Sequence, residues 1–328
     1  MQTFDLHMHT TYCDGNSSAE EMVLSAIEKG LSAVGISGHS FTPHDPSYCM
    51  SRKGTLEYIE EIRELKEKYA DRITILLGLE KDYYADTDMT PYDYWLGSVH
   101  YLFADQAGRK YEEIIRSNSS TDRSGSDAAA VTELVRYRDW TDVDSEPYDL
   151  RRFALMHGMD MMSVAELFYE TAGAIVSRTD CDIIGHFDLL TKFNERFRLM
   201  PDETVTDLWA AGSSNADSQG SCFFDTSDPR YISAWKKAVD NIFAECAERY
   251  KTGYRNRLEL PGILEAGDKP VFEINTGAIS RGYRKTPYPA ADQISYIKSK
   301  GGILILSSDS HSAAAVCSGF GQFAELMQ

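Results

Sequence analysis

The sequence predicts an α/β fold of parallel βα units. Seven short apolar runs read as strands, helix-like stretches separate most of them, and metal-ligand residue types gather just past the strand ends. Residues 3–9 form the first strand candidate. Residues 19–30 have helical composition after the Asn16-Ser17-Ser18 cluster, which supplies an N-cap. Residues 33–38 read as a buried strand, 56–69 as a helix laced with Glu and Lys, and 73–80 as the strongest strand, with 94–100 as the fourth. Helices are expected at 164–177, 231–250 and 291–300, and strands at 181–186, 271–275 and 303–308. Two polar stretches, 118–146 and 212–220, interrupt the rhythm and read as surface insertions into a single domain spanning 1–328.

Composition narrows the function classes. The 328 residues carry a formal charge of −18, with 42% hydrophobic residues. A broad nucleic-acid groove requires clustered Lys and Arg, so no nucleic-acid partner is expected. No apolar stretch approaches the roughly 20 residues of a membrane span, and no signal peptide is expected. The six cysteines are scattered without a CxxC pair and read as reduced thiols of a cytoplasmic protein.

The eight histidines carry the chemical argument. His7 and His9, His39, His100, His186 and His311 fall at or just past the C-terminal end of a predicted strand, as do Glu80 and Asp309. In closed parallel barrels that rim holds the active site. His7 and His9 are two apart on a strand and therefore point to one face together with Asp5. Asp309 and His311 repeat that spacing at the last strand, and Asp14 follows the first. Each signal alone has a bland reading: Asp14-Gly15 as a turn, His39 as a satisfied buried imidazole, Glu80 as an ion-pair partner. Their joint placement is poorly explained by independent structural accidents. His44 lies in the loop after the second strand, within reach of a substrate. His157 sits among Met156, Met159, Met161 and Met162, where core packing is expected.

Together these residues resemble the polymerase-and-histidinol-phosphatase (PHP) family of metallohydrolases. His7-Met8-His9 with Asp14 resembles the first family motif, His39 the second, Glu80 and His100 the third, and Asp309-Ser310-His311 the last, while Gly185-His186-Phe187-Asp188 resembles the additional metal-binding segment. Residues 97–101 and 273–277, followed by Tyr288-Pro289, resemble the histidinol-phosphatase branch. The resemblance implies a distorted seven-stranded (β/α)7 barrel and two or three divalent metal ions: one on His7, His9, Glu80 and Asp309, one on Glu80, His100 and His186, one on Asp14, His39 and His311. Such imidazole and carboxylate shells suit Zn, Mn or Fe. One departure is Gly38, where relatives often carry an acidic residue that orients the following imidazole; it bears on the third metal.

The implied reaction is hydrolysis of a phosphomonoester by a metal-activated hydroxide attacking phosphorus. Arg281 is the first choice of phosphate clamp, since guanidinium binds phosphate in bidentate fashion, followed by Lys192 and Arg284. A metal-bound water, His44 or Asp188 would protonate the leaving alkoxide. The resemblance makes L-histidinol phosphate the leading substrate, a small phosphorylated metabolite of histidine biosynthesis. The rivals are another PHP phosphoesterase acting on nucleotides, oligonucleotides or phosphotyrosine, and a non-catalytic metal-binding regulatory module.

Overall fold

Parallel pairing runs through β1 (Phe4–Asp5), β2 (Ala33–Ile36), β3 (Thr74–Asp82), β4 (Tyr94–Ser98), β7 (Ile183–Ile184), β10 (Val271–Asn275) and β11 (Ile303–Ser307), hydrogen-bonded in that order as one seven-stranded sheet. The computed structural model describes residues 2–104, 139–210, 220–254, 256–258 and 266–327. Most of both predicted polar insertions lies outside the described residues.

The sheet curls into a nearly closed barrel. Past the ends of β1 and β11, Met8 and Ser310 form a parallel bridge, and the His9 amide donates to the Ser310 carbonyl at 2.8 Å. The Asp5 carboxylate fastens the same seam by accepting from the amides of Ser308 (3.1 Å) and Cys317 (3.0 Å). Every predicted barrel strand is present, though five of the seven are shorter than the apolar runs suggest: chain beyond Asp5, Ile36, Ser98, Ile184 and Ser307 leaves the ladder and becomes rim. Around the barrel, Ser18 caps the helix Ala19–Glu28 through a reciprocal bond set with Glu21. The second helix, Arg52–Lys68, begins earlier than expected because Ser51 caps it. The helix expected at 164–177 is two, Met161–Gly173 and Ile175–Thr179.

Alternation along the strands separates core from site. On β3, Leu76 enters the barrel core, Gly78 follows on the same side, and Glu80 reaches the rim. On β10 and β11, Val271 and Ile305 enter the core while Glu273, Asn275, Ser307 and Asp309 continue upward on the same faces. Tyr94 fills the interior and donates to the Leu6 carbonyl at 2.6 Å. A Cβ at Gly35 would lie 2.0 Å from its hydroxyl oxygen, so that phenol fits only beside glycine.

The N-terminal end of the barrel holds a buried polar knot. Asp182, just before β7, accepts from the amides of Trp95 (3.1 Å) and Arg257 (3.0 Å), from the Tyr254 hydroxyl, and from the Arg257 guanidinium at 3.2 Å. That guanidinium lies 3.7 Å over the Trp95 ring. Every oxygen of this carboxylate has a donor, as a buried structural charge requires.

Two compact units divide the chain: Met1–Ser98, Ala172–Asp188 and Ala238–Gln328 form the barrel unit, and Val99–Thr171 with Leu189–Lys237 forms the other. Within the second unit, β5 (Tyr101–Phe103) pairs antiparallel with β6 (Trp140–Asp142), and β8 (Phe197–Leu199) with β9 (Val205–Asp207). Arg196 clasps Asp207 at 2.6 Å across the latter hairpin. The unit also contains the helix Asp149–His157, absent from the sequence expectation. Leu155 and Met156 on it are half exposed, so the Met-rich segment is not the core packing expected there; His157 instead tilts against Phe153, with ring centroids 4.6 Å apart.

Candidate metal centre

The rim of the barrel unit gathers seven of the sequence-predicted ligands, with an eighth, His186, joined through Glu80. Glu80 is the hub: its Oε2 lies 2.9 Å from His39 Nδ1, 3.2 Å from His7 Nε2 and 3.4 Å from His9 Nε2, while Oε1 meets His186 Nε2 at 2.8 Å. Asp309 Oδ1 lies 3.1 Å from His9 Nε2 and 3.8 Å from His7 Nε2. Asp14 faces the other side of the group, 3.0 Å from His311 Nε2, 3.5 Å from His9 Nδ1 and 3.7 Å from His39 Nε2.

Two clusters within the barrel unit hold ligand atoms all within 4.8 Å of one another: His7, His9 and Asp309, and His9, Asp14, His39 and His311. The first is wholly buried, while the second opens outward, with the Asp14 side chain 32% exposed. Local structure explains both. Asn16 donates to the His311 carbonyl at 2.7 Å, which ties the Asp14 loop to the loop after β11. Asp309 adopts a left-handed backbone (φ 45°) that non-glycine residues rarely take. Gly277 leaves the space for it, since a Cβ there would lie 2.6 Å from Asp309 Oδ2.

A metal fits these residues on the structure's own terms. The Nε2 atoms of His7 and His9 are buried, converge on the same two carboxylates, and make no hydrogen bond among the described residues. Buried ring nitrogens of that kind call for a partner that accepts lone pairs. The electrostatics agree. Burial would lower the His7 pKa, but Glu273, Glu80 and Asp309 hold it well above 6.5. Burial, with the nearby His311 and His39, lowers His9 to about 3. Burial would raise Asp309, yet Arg281, His7 and His9 hold it well below the usual carboxylate range. The site thus combines ionised carboxylates with a neutral His9 and with a His7 whose ring proton the carboxylates retain until a metal displaces it.

Other predicted residues sit as follows. His100 is the second residue of the second unit, two positions past β4, and is buried. Arg281 stands at the rim, its Nη2 3.0 Å from Asp309 Oδ2 and its Nη1 3.2 Å from His311 Nε2. The Arg284 guanidinium lies 4.3 Å over the Tyr288 ring and donates to the Thr286 carbonyl. Lys192 belongs to the second unit, where Nζ binds the Asp144 carbonyl (2.7 Å) and carboxylate (2.9 Å). Asp188 accepts from the Ala290 amide at 3.2 Å. Burial lowers His44 to about 4 against the pull of Asp82 and Asp45, so its ring is uncharged at neutral pH.

Position 38 is also explained. A Cβ there would meet Cys13 Sγ at 3.3 Å and the Met50 side chain at 3.5 Å, so packed sulfur occupies the place of an acidic side chain. His39 takes its orientation from Glu80 instead. Sequence reasoning missed Glu273, a fully buried carboxylate that His7 Nδ1 meets at 2.8 Å. A signal existed: a charged residue in the middle of the buried strand Val-Phe-Glu-Ile-Asn.

Residues 5–211 match the PHP domain family, more than half of the 328-residue chain. The chain belongs to that family. A relative in Deinococcus radiodurans named "Probable histidinol-phosphatase" is 33% identical over 111 residues, covering 30% of this chain and 43% of that protein, so the match spans less than half of its length. Another of the same name, from Schizosaccharomyces pombe, is 24% identical over 93% of this chain and 79% of its own. Among solved structures, hisK of Listeria monocytogenes superposes with a TM-score of 0.61 at 17% identity, covering 98% of this chain and 99% of that one. The histidinol phosphate phosphatase of Lactococcus lactis, solved with zinc, L-histidinol and phosphate, gives 0.56 at 16% identity, covering 99% and 92%. At these identities the two structures establish the (β/α)7 barrel.

Proposed function

We propose that this chain is a metal-dependent phosphatase that hydrolyses L-histidinol phosphate to L-histidinol and phosphate. The observation that carries the reading is the convergence of His7, His9, His39, His186, Asp309 and His311 around Glu80 and Asp14 at the C-terminal rim. The names of the relatives support the choice of substrate.

His7, His9, Glu80 and Asp309 would hold one ion, and Asp14, His39 and His311 another, with His9 shared between the two clusters. Glu80 and His186 would hold a further one, joined by His100 on the strength of the family motif. Zinc suits this donor set, with manganese and iron as further candidates. Bound divalent ions supply a water of lowered pKa and neutralise charge on phosphate oxygens. The protein's own groups do the rest. Arg281, fixed between Asp309 and His311 and partly exposed, offers a guanidinium edge to a phosphate dianion. Glu80 and Asp309 keep the imidazoles aimed inward, and the burial of His7, His9 and Glu80 strengthens every charge interaction there. All six cysteines are free, which suits a reducing compartment, and we place the enzyme in the cytoplasm.

A panel of histidinol phosphate, nucleoside monophosphates, phosphotyrosine peptide and a short single strand tests the substrate. The expected outcome is metal-dependent phosphate release with clear preference for histidinol phosphate. Preference for another compound would replace the substrate, and no turnover by the metal-loaded protein would favour a regulatory module.

A further inference from the structure

Glu273 lies in the middle of β10 with no exposed surface, and each of its oxygens faces the site in a different way. Oε2 meets His7 Nδ1 at 2.8 Å. Oε1 accepts from the backbone amide of His186 and from Asn275 Nδ2 at 2.9 Å. The orientation of that amide group is fixed independently, because Asn275 Oδ1 accepts from the Gly277 amide at 2.8 Å. One carboxylate therefore links three strands: β1 through the His7 ring, β7 through His186 two residues past its end, and β10 on which it sits.

We propose that Glu273 is a positioning residue that selects the metal-binding tautomer of His7 and sets the height of His186 at the rim. The inference rests on the metal-centre reading above. An ionised carboxylate only accepts, so His7 Nδ1 must carry its proton toward Glu273. His7 Nε2, which makes no hydrogen bond among the described residues, is then the nitrogen left to give its lone pair on the Glu80 side, 3.2 Å from Oε2. Through Oε1 the same group holds the His186 amide, whose ring meets Glu80 Oε1 at 2.8 Å. Glu273 acts through two residues that face Glu80.

The substitution Glu273→Gln isolates this role, because glutamine has the same shape with one acceptor oxygen and one donor nitrogen. Two donors face the Oε1 side and one faces the Oε2 side, so the amide oxygen turns toward His186 and Asn275. The amide nitrogen then donates to His7 Nδ1, which moves the ring proton to Nε2 and removes the lone pair from the site. Three measurements test this: melting of the metal-free proteins, zinc affinity by chelator competition, and nitrogen NMR of histidine-labelled, zinc-loaded protein. The expected result is an E273Q variant that melts cooperatively without metal yet binds its tightest zinc about 10- to 100-fold more weakly. The wild-type NMR should show His7 with a protonated Nδ1 and a zinc-shifted Nε2.

Unchanged zinc affinity in folded E273Q would overturn the proposal. So would a wild-type spectrum with zinc on Nδ1 of His7, a result that stands even if E273Q does not fold. A wild-type protein that binds no zinc, manganese or iron would overturn the metal reading itself, whereas intact wild-type binding with unaffected E273Q removes Glu273's part alone.

Discussion

Asp182 and Glu80 are almost equally buried carboxylates, 2% and 1% exposed, at opposite ends of the same barrel. Their surroundings differ in kind. Asp182 is met by two backbone amides, a phenol and a guanidinium, so its charge is spent on hydrogen bonds that tie β4 and β7 to Tyr254 and Arg257. Glu80 is met by four imidazoles, and the Nε2 atoms of two of them, His7 and His9, have no hydrogen bond among the described residues. Burial and charge therefore do not by themselves mark a functional group in this molecule. What marks it is a polar cluster that the protein leaves incomplete, since an unmet buried nitrogen costs stability that the fold could have avoided.

Substitutions at the two ends should separate these roles. The largest effect is expected for Glu80→Ala, which removes the hub: zinc affinity and phosphate release should fall together by more than about 100-fold, beyond the range typical of outer-shell losses. Metal analysis beside a phosphate assay checks it, and full activity in that variant would erase the contrast between the two ends. Next comes Arg281→Ala, where losing a charge-assisted contact to phosphate should lower kcat/KM by roughly 10- to 100-fold while zinc content stays close to wild type. At the opposite end, Asp182→Ala should destabilise the fold by about 1–3 kcal/mol in chemical denaturation and leave zinc stoichiometry unchanged.

The smallest effect is on pH. His7 is held well above 6.5 by its carboxylate neighbours once burial is outweighed, whereas His9 sits at about 3 and is neutral throughout. In the metal-free protein the raised pKa contributes stability that is complete below pH 6.5 and is lost as pH rises through the folded value. Zinc must displace the same proton, so its affinity should rise by about tenfold per pH unit above 6.5 and level off once His7 is deprotonated. Calorimetry in buffers of different ionisation enthalpy should find one proton released per zinc at this site near neutral pH. Affinity independent of pH would remove His7 from the ligand set.

The rim was legible in the sequence because a ligand needs both a residue type and a strand end, and each leaves a local trace. His7, Glu80, Asp309 and His311 follow apolar runs that become β1, β3 and β11. Glu273 was quoted within a motif without a role because its function depends on a ring 266 positions away, and no local pattern encodes that distance. The Asp182 knot was invisible for the same reason: Trp95, Tyr254 and Arg257 meet it only after the barrel closes. The two hairpins of the second unit escaped the sequence reading because their three-residue strands are too short for periodicity to register.

The most direct test of the central claim is phosphate release from L-histidinol phosphate by the purified protein, measured after complete chelation and again during zinc titration. The account predicts no turnover without metal and recovery that follows zinc bound per chain. Undiminished hydrolysis by the metal-free protein would contradict it.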